Sequence, residues 1–197
     1  AERGYGGEPC LQPIWSQQDQ QRLIICHSLG LHLLSPSTLA AAEAIVILGG
    51  FTVFVPPGGS GRRQARALRG MAERLGTPEE GTMLRTFLDR CASPMPATAL
   101  PHHPVLTQLD DSGRERLRND LTLLSHCSDL PEGWPQLARV LVVQGEQDAI
   151  VCPESQNLLM TALRGQQYEL IRLPEHGHAL ITTAVLKTVL DWVEARP

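Results

Sequence analysis

The stretch Leu23-Ile24-Ile25-Cys26-His27-Ser28-Leu29-Gly30 constrains the fold of this chain more than any other. An apolar run stops at a serine, a glycine follows two positions later, and Leu31 to Leu34 is an apolar segment suited to a helix. That order reads as strand, tight turn, helix. A serine in such a turn is held out from the backbone, where a base can reach it. The usual pattern is G-x-S-x-G. Here Cys26 stands at the first glycine's position, and cysteine is small enough for a crowded turn.

A second apolar run follows at Ala44 to Leu48, and Arg139 to Gly145 and Tyr168 to Leu173 read as third and fourth strand runs. Continuous apolar strands separated by helical segments predict a parallel sheet covered on both faces. Between the second and third runs the character changes, and residues 55–135 carry helical and loop patterning only. Pro56-Pro57-Gly58-Gly59 reads as a linker. From Arg62 to Leu75, Ala65, Leu68, Ala72 and Leu75 share one helix face and Arg62, Arg66 and Arg69 another. Thr77-Pro78-Glu79-Glu80 has the form of a helix start, leading to Met83, Leu84, Phe87, Leu88 and Cys91 at helical spacing. A helix is expected from about Ser112 to His126, with Leu117, Leu121 and Leu124 inward and Arg114 and Arg118 outward. Beyond the third strand, Pro153 opens a helix ending near Gly165, and Ile181 to Glu194 is a terminal helix. Its Val185, Leu186, Val189, Leu190 and Val193 lie on one face. Residues 29–34 read as a short helix checked by Pro36. The expected fold is α/β: a parallel sheet from 1–51 and 135–197, with a helical insertion at 52–134.

Composition removes several classes of function. A net charge of −4 offers no bulk positive field to nucleic acid or anionic membrane, and 4% aromatics are too few for base-stacking platforms. No apolar run approaches the ~18 residues of a membrane span. The five cysteines (Cys10, Cys26, Cys91, Cys127, Cys152) include no C-x-x-C pair, which fits free thiols in a reducing cytoplasm. His102-His103 and His126-Cys127 are adjacent pairs with no zinc-like spacing to a partner, so no metal site is expected.

In a parallel sheet all strands end on one edge, and ligands gather there. Ser28 follows the first run. Asp148 follows the third, in Gly145-Glu146-Gln147-Asp148, with Glu146 as a rival acid closer to the strand end. His178 follows the fourth, in Glu175-His176-Gly177-His178, and either histidine can be the base. The order Ser, Asp, His suits nucleophilic acyl transfer. The histidine takes the serine proton, the carboxylate fixes the imidazole tautomer, and the Leu29 backbone N–H faces the developing oxyanion.

These features resemble the α/β-hydrolase superfamily over nearly the whole chain: the elbow, the Q-G-E-Q-D turn and the H-G-H-A-L segment. In that family the catalytic histidine commonly follows glycine and precedes a small residue, which selects His178 over His176. Arg3-Gly4-Tyr5-Gly6 is similar to the segment after the family's fourth strand, and the insertion falls where the family carries its cap. More narrowly, C-H-S-L-G-L-H-L-L, the arginine-rich helix after F-V-P-P-G, and L-R-N-D-L-T-L-L resemble the carboxylesterases that demethylate pimeloyl-acyl-carrier-protein methyl ester in biotin synthesis. The similarity is strongest to the compact subgroup of some photosynthetic bacteria.

The resemblance implies a serine esterase without metal or organic cofactor. Phe87 and Met83 serve as cap core or acyl pocket. Arg62, Arg66 and Arg69 form either a solvated face or a dock for an acidic acyl carrier protein. It also implies earlier strands, roughly 50 residues at about 10–15 residues per strand, one of whose turns supplies the second oxyanion donor. Without them the Ser28 strand is an apolar sheet edge and the chain alone is expected to be insoluble or inactive. A general small-ester or carbon–carbon bond hydrolase is the alternative within enzymes. A non-catalytic binding protein on the same fold is the alternative outside them.

Overall fold

A computed structural model describes residues 3–7, 12–16, 18, 21–101 and 104–195. Its centre is a sheet of strands β1 (Leu23–His27), β2 (Ala44–Leu48), β3 (Arg139–Gly145) and β4 (Tyr168–Leu173), all parallel and in the order β1-β2-β3-β4. One row of the register runs Cys26, Ile47, Val142, Leu170 across all four strands.

The unbroken apolar runs follow from burial of both faces. Ile45, Ile47, Val140 and Val142 pack with Leu39, Leu159 and Leu163, which lie on or beside helices α1 (Pro36–Ala40) and α5 (Pro153–Ala162). The alternate residues Val46, Leu141 and Val143 meet Val185, Val189 and Trp192 of the last helix, α6 (Thr183–Glu194). The sheet thus separates two apolar layers. Pro36 does not simply check a helix. Ser28–Leu33 is a 3-10 turn, and Pro36 then opens α1 from its first position, capped by Ser35, whose Oγ accepts from the Thr38 N–H at 3.1 Å.

No strand lies between β2 and β3 among the described residues. The segment folds as α2 (Gly59–Arg74), α3 (Glu80–Ala92) and α4 (Asp111–His126) with two short 3-10 turns. These helices share an apolar cluster built on Phe51, Phe54, Leu68, Leu75, Leu121 and Val151. Helix α3 begins at Glu80 rather than at Pro78, because Thr77 Oγ1 accepts the Glu79 N–H and closes a turn first. Arg114 and Arg118 do not simply point outward. Arg114 lies along Glu80 of α3 (Nε 2.7 Å, Nη2 2.9 Å), and Arg118 donates to the Leu75 carbonyl at 3.1 Å.

The apolar stripe of α6 is only half covered. Val185, Val189 and Trp192 are buried, whereas Leu186 and Leu190 are 57% and 49% exposed. Beside them β1 is an edge of the described sheet, with Ile25 exposed. The uncovered residues Ile25, Ile181 and Leu186 line a shared groove, so the exposed stripe is continuous with the open edge.

Candidate active site

Parallel pairing puts the turns after all four strands at one edge, and three of them supply the side chains of a hydrogen-bonded relay. Ser28 sits at the tip of the first turn with φ 54°, one of two non-glycine residues in the left-handed region among those described. Its backbone is strained, and the bend lifts the hydroxyl clear of the sheet. The turn has room for cysteine at position 26: even a Cβ on Gly30 would stand 3.6 Å from the Cys26 Cβ, an ordinary contact. The Cys26 thiol is buried and donates to the Val46 carbonyl at 3.4 Å, and burial pushes its pKa up to about 12.

The Ser28 Oγ lies 3.0 Å from His178 Nε2, and His178 Nδ1 lies 2.9 Å from Asp148 Oδ2. Asp148 Oδ1 accepts the backbone N–H of Ile150 at 2.8 Å and of Val151 at 2.9 Å. An ionised carboxylate only accepts, so Nδ1 carries the imidazole proton and Nε2 is left to receive the serine hydroxyl. The His178 and Asp148 side chains are 4% and 1% exposed. Such burial strengthens every link of the relay. Glu146 is exposed on the strand side of this turn, and His176 turns aside to Thr182 Oγ1 at 3.2 Å. Leu29 is the second residue of the 3-10 turn, where backbone N–H groups have no acceptor inside their own helix.

Two glycines shape the approach of the loops. Gly49, at φ 54°, follows β2, and a Cβ there would stand 3.3 Å from His178 Nδ1. Gly145 ends β3, where a Cβ would overlap the His176 and Gly177 carbonyls at 2.3 Å. Neither position is distinguishable from an ordinary turn glycine in the sequence. His27 was also missed, although it adjoins Ser28: its Nε2–H donates to the His178 carbonyl at 2.8 Å.

The relay opens on a cavity of about 220 Å³, walled by Ser28 and Leu29 on one side and by Leu84, Phe87, Leu121 and Leu124 of the inserted helices on the other. Phe87 therefore lines the cavity, whereas Met83 does not. Met83 stands one position off the Leu84–Phe87–Leu88 face and packs into the apolar cluster instead. Arg62, Arg66 and Arg69 occupy the solvent face of α2, away from the cavity wall, and none is in an ion pair among the described residues. The insertion is fastened to the acid's turn by Arg90 Nη2 to the Ala149 carbonyl (2.6 Å) and Gln64 Nε2 to the Ile150 carbonyl (3.2 Å).

A second buried polar cluster borders the same cavity. Asp120 of α4 accepts from both Arg3 Nε (2.9 Å) and Arg3 Nη2, and from the Tyr5 hydroxyl at 2.5 Å. Its only sequence signal is an acidic residue beside Leu117, Leu121 and Leu124 on an inward helix face. Among the described residues no three metal-ligating side chains gather; His102, His103 and Cys10 lie outside those residues. Cys26, Cys91, Cys127 and Cys152 are free thiols.

The architecture is that of an α/β-hydrolase fold, present in part: a parallel four-stranded sheet with helices on both faces and a helical insertion after its second strand. No protein-family model and no curated protein matches the chain. Solved structures do. The esterase EaEST from Exiguobacterium antarcticum superposes with a TM-score of 0.62 at 17% identity, over 89% of this chain and 68% of its own. The hydrolase olei00960 from Oleispira antarctica gives 0.59 at 14%, over 88% and 65%. The 2-hydroxy-6-oxo-6-phenylhexa-2,4-dienoate hydrolase of Rhodococcus gives 0.60 at 16%, over 89% and 65%. At these identities the likeness is one of fold, and the chain spans about two thirds of each relative's length. No helix among the described residues is long and apolar enough to cross a membrane.

Proposed function

We propose that this chain carries the catalytic apparatus of a serine carboxylesterase. The observation that carries it is the continuous relay Ser28–His178–Asp148, buried at its base and opening on an apolar cavity. Ser28 Oγ attacks the ester carbonyl while its proton passes to His178 Nε2. Asp148 holds the resulting imidazolium, and the Leu29 N–H donates to the oxyanion. Collapse expels the alcohol, which takes the proton from His178, and leaves an acyl-serine. Water, deprotonated by His178, then releases the carboxylate and restores the serine. Helices α2 to α4, within residues 52–134, act as the lid that encloses the acyl chain. The relay needs no metal or organic cofactor.

In its narrower form the substrate is the methyl ester of pimeloyl-acyl carrier protein, in biotin synthesis, with methanol leaving first. The apolar wall containing Phe87 suits a methylene chain, and the unpaired Arg62, Arg66 and Arg69 suit the acidic surface of a carrier protein. The free thiols suit a cytoplasmic site of action. The test is a fluorophosphonate probe on the full-length protein. Labelling is expected on wild type and lost in Ser28→Ala. Labelling that survives Ser28→Ala overturns the nucleophile, and an unlabelled wild type favours a non-catalytic binding protein. Rescue of a biotin auxotroph lacking its esterase separates the narrow substrate from general ester or carbon–carbon bond hydrolysis: failure by a soluble, probe-reactive protein removes it.

A further inference from the structure

Resting on the serine-hydrolase reading, we propose that His27 is a positioning residue for the base: its imidazole holds the main chain of His178 while its neighbour Ser28 meets the same residue's ring. The Nε2 of His27 lies 2.8 Å from the His178 carbonyl, and the two rings are 4.8 Å apart between centroids, tilted by 51°. A carbonyl only accepts, so His27 Nε2 carries a proton and donates it. His178 is then fixed at three points of its own: Nδ1 on Asp148, Nε2 on Ser28, and the carbonyl on His27. The third point controls the backbone from which the ring projects. It matters because Leu180, two residues on, is in the left-handed region at φ 49°, a strained turn that relaxes if its anchor is lost. Gly49 packs against the same residue: a Cβ there would stand 3.3 Å from His178 Nδ1 and 3.4 Å from its carbonyl oxygen.

The dipeptide His27-Ser28 thus sets two distances from one strand end, nucleophile to base and base to sheet. Coupling them through adjacent residues keeps the relay in register when β1 shifts against the loop carrying His178. The groups that act electrically on His27 are His178 and Asp148, and Arg3 lines the same groove. His27 is exposed at the end of the edge strand β1, and the protein on its inner side, with His178 beside it, holds its pKa below the ordinary imidazole value of 6.5. It is therefore neutral at physiological pH and places no opposing charge beside the imidazolium that forms on His178.

His27 does not line the acyl cavity. Its loss therefore acts on kcat and leaves KM unchanged, and recovery by a residue that restores only the donor separates positioning from a general loosening of the fold. The experiment compares His27→Leu, which removes the donor, with His27→Gln, whose amide N–H reaches a similar position. With p-nitrophenyl butanoate, His27→Leu is expected to lower kcat about 10- to 100-fold, the scale of a misplacement near 1 Å. His27→Gln is expected to recover most of it. Proton NMR supplies an arm that does not depend on turnover: the far-downfield resonance of the His178 Nδ1–H on Asp148 is expected to persist in wild type and His27→Gln, and to vanish in His27→Leu. A folded His27→Leu protein that retains both that resonance and kcat within twofold overturns the proposal. The esterase reading fails separately, through the response of Ser28→Ala to the fluorophosphonate.

Discussion

Among the described residues the side chains of Asp148 and Asp120 are 1% and 5% exposed, and they sit differently: Asp120 borders the cavity, whereas Asp148 lies behind His178, on the ring nitrogen away from Ser28. Burying a carboxylate is costly unless its oxygens are met by donors, and the two are met differently. Asp148 takes two backbone N–H groups and one imidazole N–H, all from groups neutral at rest. Its negative charge is solvated without being cancelled, so it can respond to a positive charge arising on His178. Asp120 faces the guanidinium of Arg3 through two N–H groups and accepts the Tyr5 hydroxyl as well. Its charge is already cancelled. It ties the loop bearing Arg3 and Tyr5 to helix α4, where Arg116 also donates to the Gly4 carbonyl. The difference between the two lies in the partner set: neutral donors leave a carboxylate chemically responsive, and a fixed cation makes it a fastening.

The sharpest way to break the comparison is at Asp148. In Asp148→Asn the side-chain oxygen can still accept from Ile150 and Val151, so the turn is kept. The amide N–H₂ then opposes His178 Nδ1 and drives the ring to the other tautomer, with Nε2–H pointing at Ser28. In Ser-His-Asp enzymes that change lowers kcat about 10,000-fold. The expected outcome is a loss of this order in ester turnover with a melting temperature close to wild type. Turnover within tenfold of wild type would show that the charge of Asp148 has no part in the chemistry.

At Asp120 the effect moves from rate to stability. Asp120→Ala strands a guanidinium and a hydroxyl against an apolar wall. Breaking a buried pair in this way costs about 3–5 kcal/mol, and the lower end applies because the Arg3 side chain is 32% exposed. The triple replacement Asp120→Leu, Arg3→Met and Tyr5→Phe removes all three polar partners together and is expected to recover most of the loss. Urea midpoints at equal m-values measure both. A single substitution that costs under ~1 kcal/mol would reduce the cluster to an exposed ion pair.

What was legible in the sequence follows the range of the interactions involved. The strand at Ala44–Leu48 was readable to the residue, because burial on both faces forces an unbroken apolar run; Tyr168–Leu173 was readable although Glu169 and Arg172 interrupt it at the other edge of the described sheet. Ser28, Asp148 and His178 were readable because a parallel sheet brings the turns after its strands to one edge, so topology alone puts them together. The choice of Asp148 over Glu146 and of His178 over His176 depends on which way each turn folds, and the residues' spacing leaves that open. Helix α1 was missed because proline at a first helical position looks the same as proline ending the previous segment. Leu186 and Leu190 share one face with Val185 and Val189 in the sequence yet are exposed, because an apolar stripe records what a face can bury, not what covers it. The Arg3–Tyr5–Asp120 cluster joins residues more than 100 apart in the chain. No local pattern encodes it.

Tyr5 tests the fastening with the smallest change. Tyr5→Phe removes one hydroxyl and leaves Asp120 both N–H donors of Arg3, so the loss at neutral pH is about 1 kcal/mol. The informative difference is at alkaline pH. Burial, and then the hydrogen bond to Asp120, raise the Tyr5 pKa well above its ordinary value of 10.0. The unfolded chain therefore loses the phenolic proton first, and the folded state holds more protons above pH 10. The stability due to this group is fully present below the unfolded pKa and falls as pH rises past it. Wild-type stability is expected to decline from about pH 10 upward with a component that Tyr5→Phe lacks, so the two denaturation curves converge on alkalinisation. Parallel curves over that range would mean that the Tyr5 hydroxyl reaches water and that Asp120 is held by Arg3 alone.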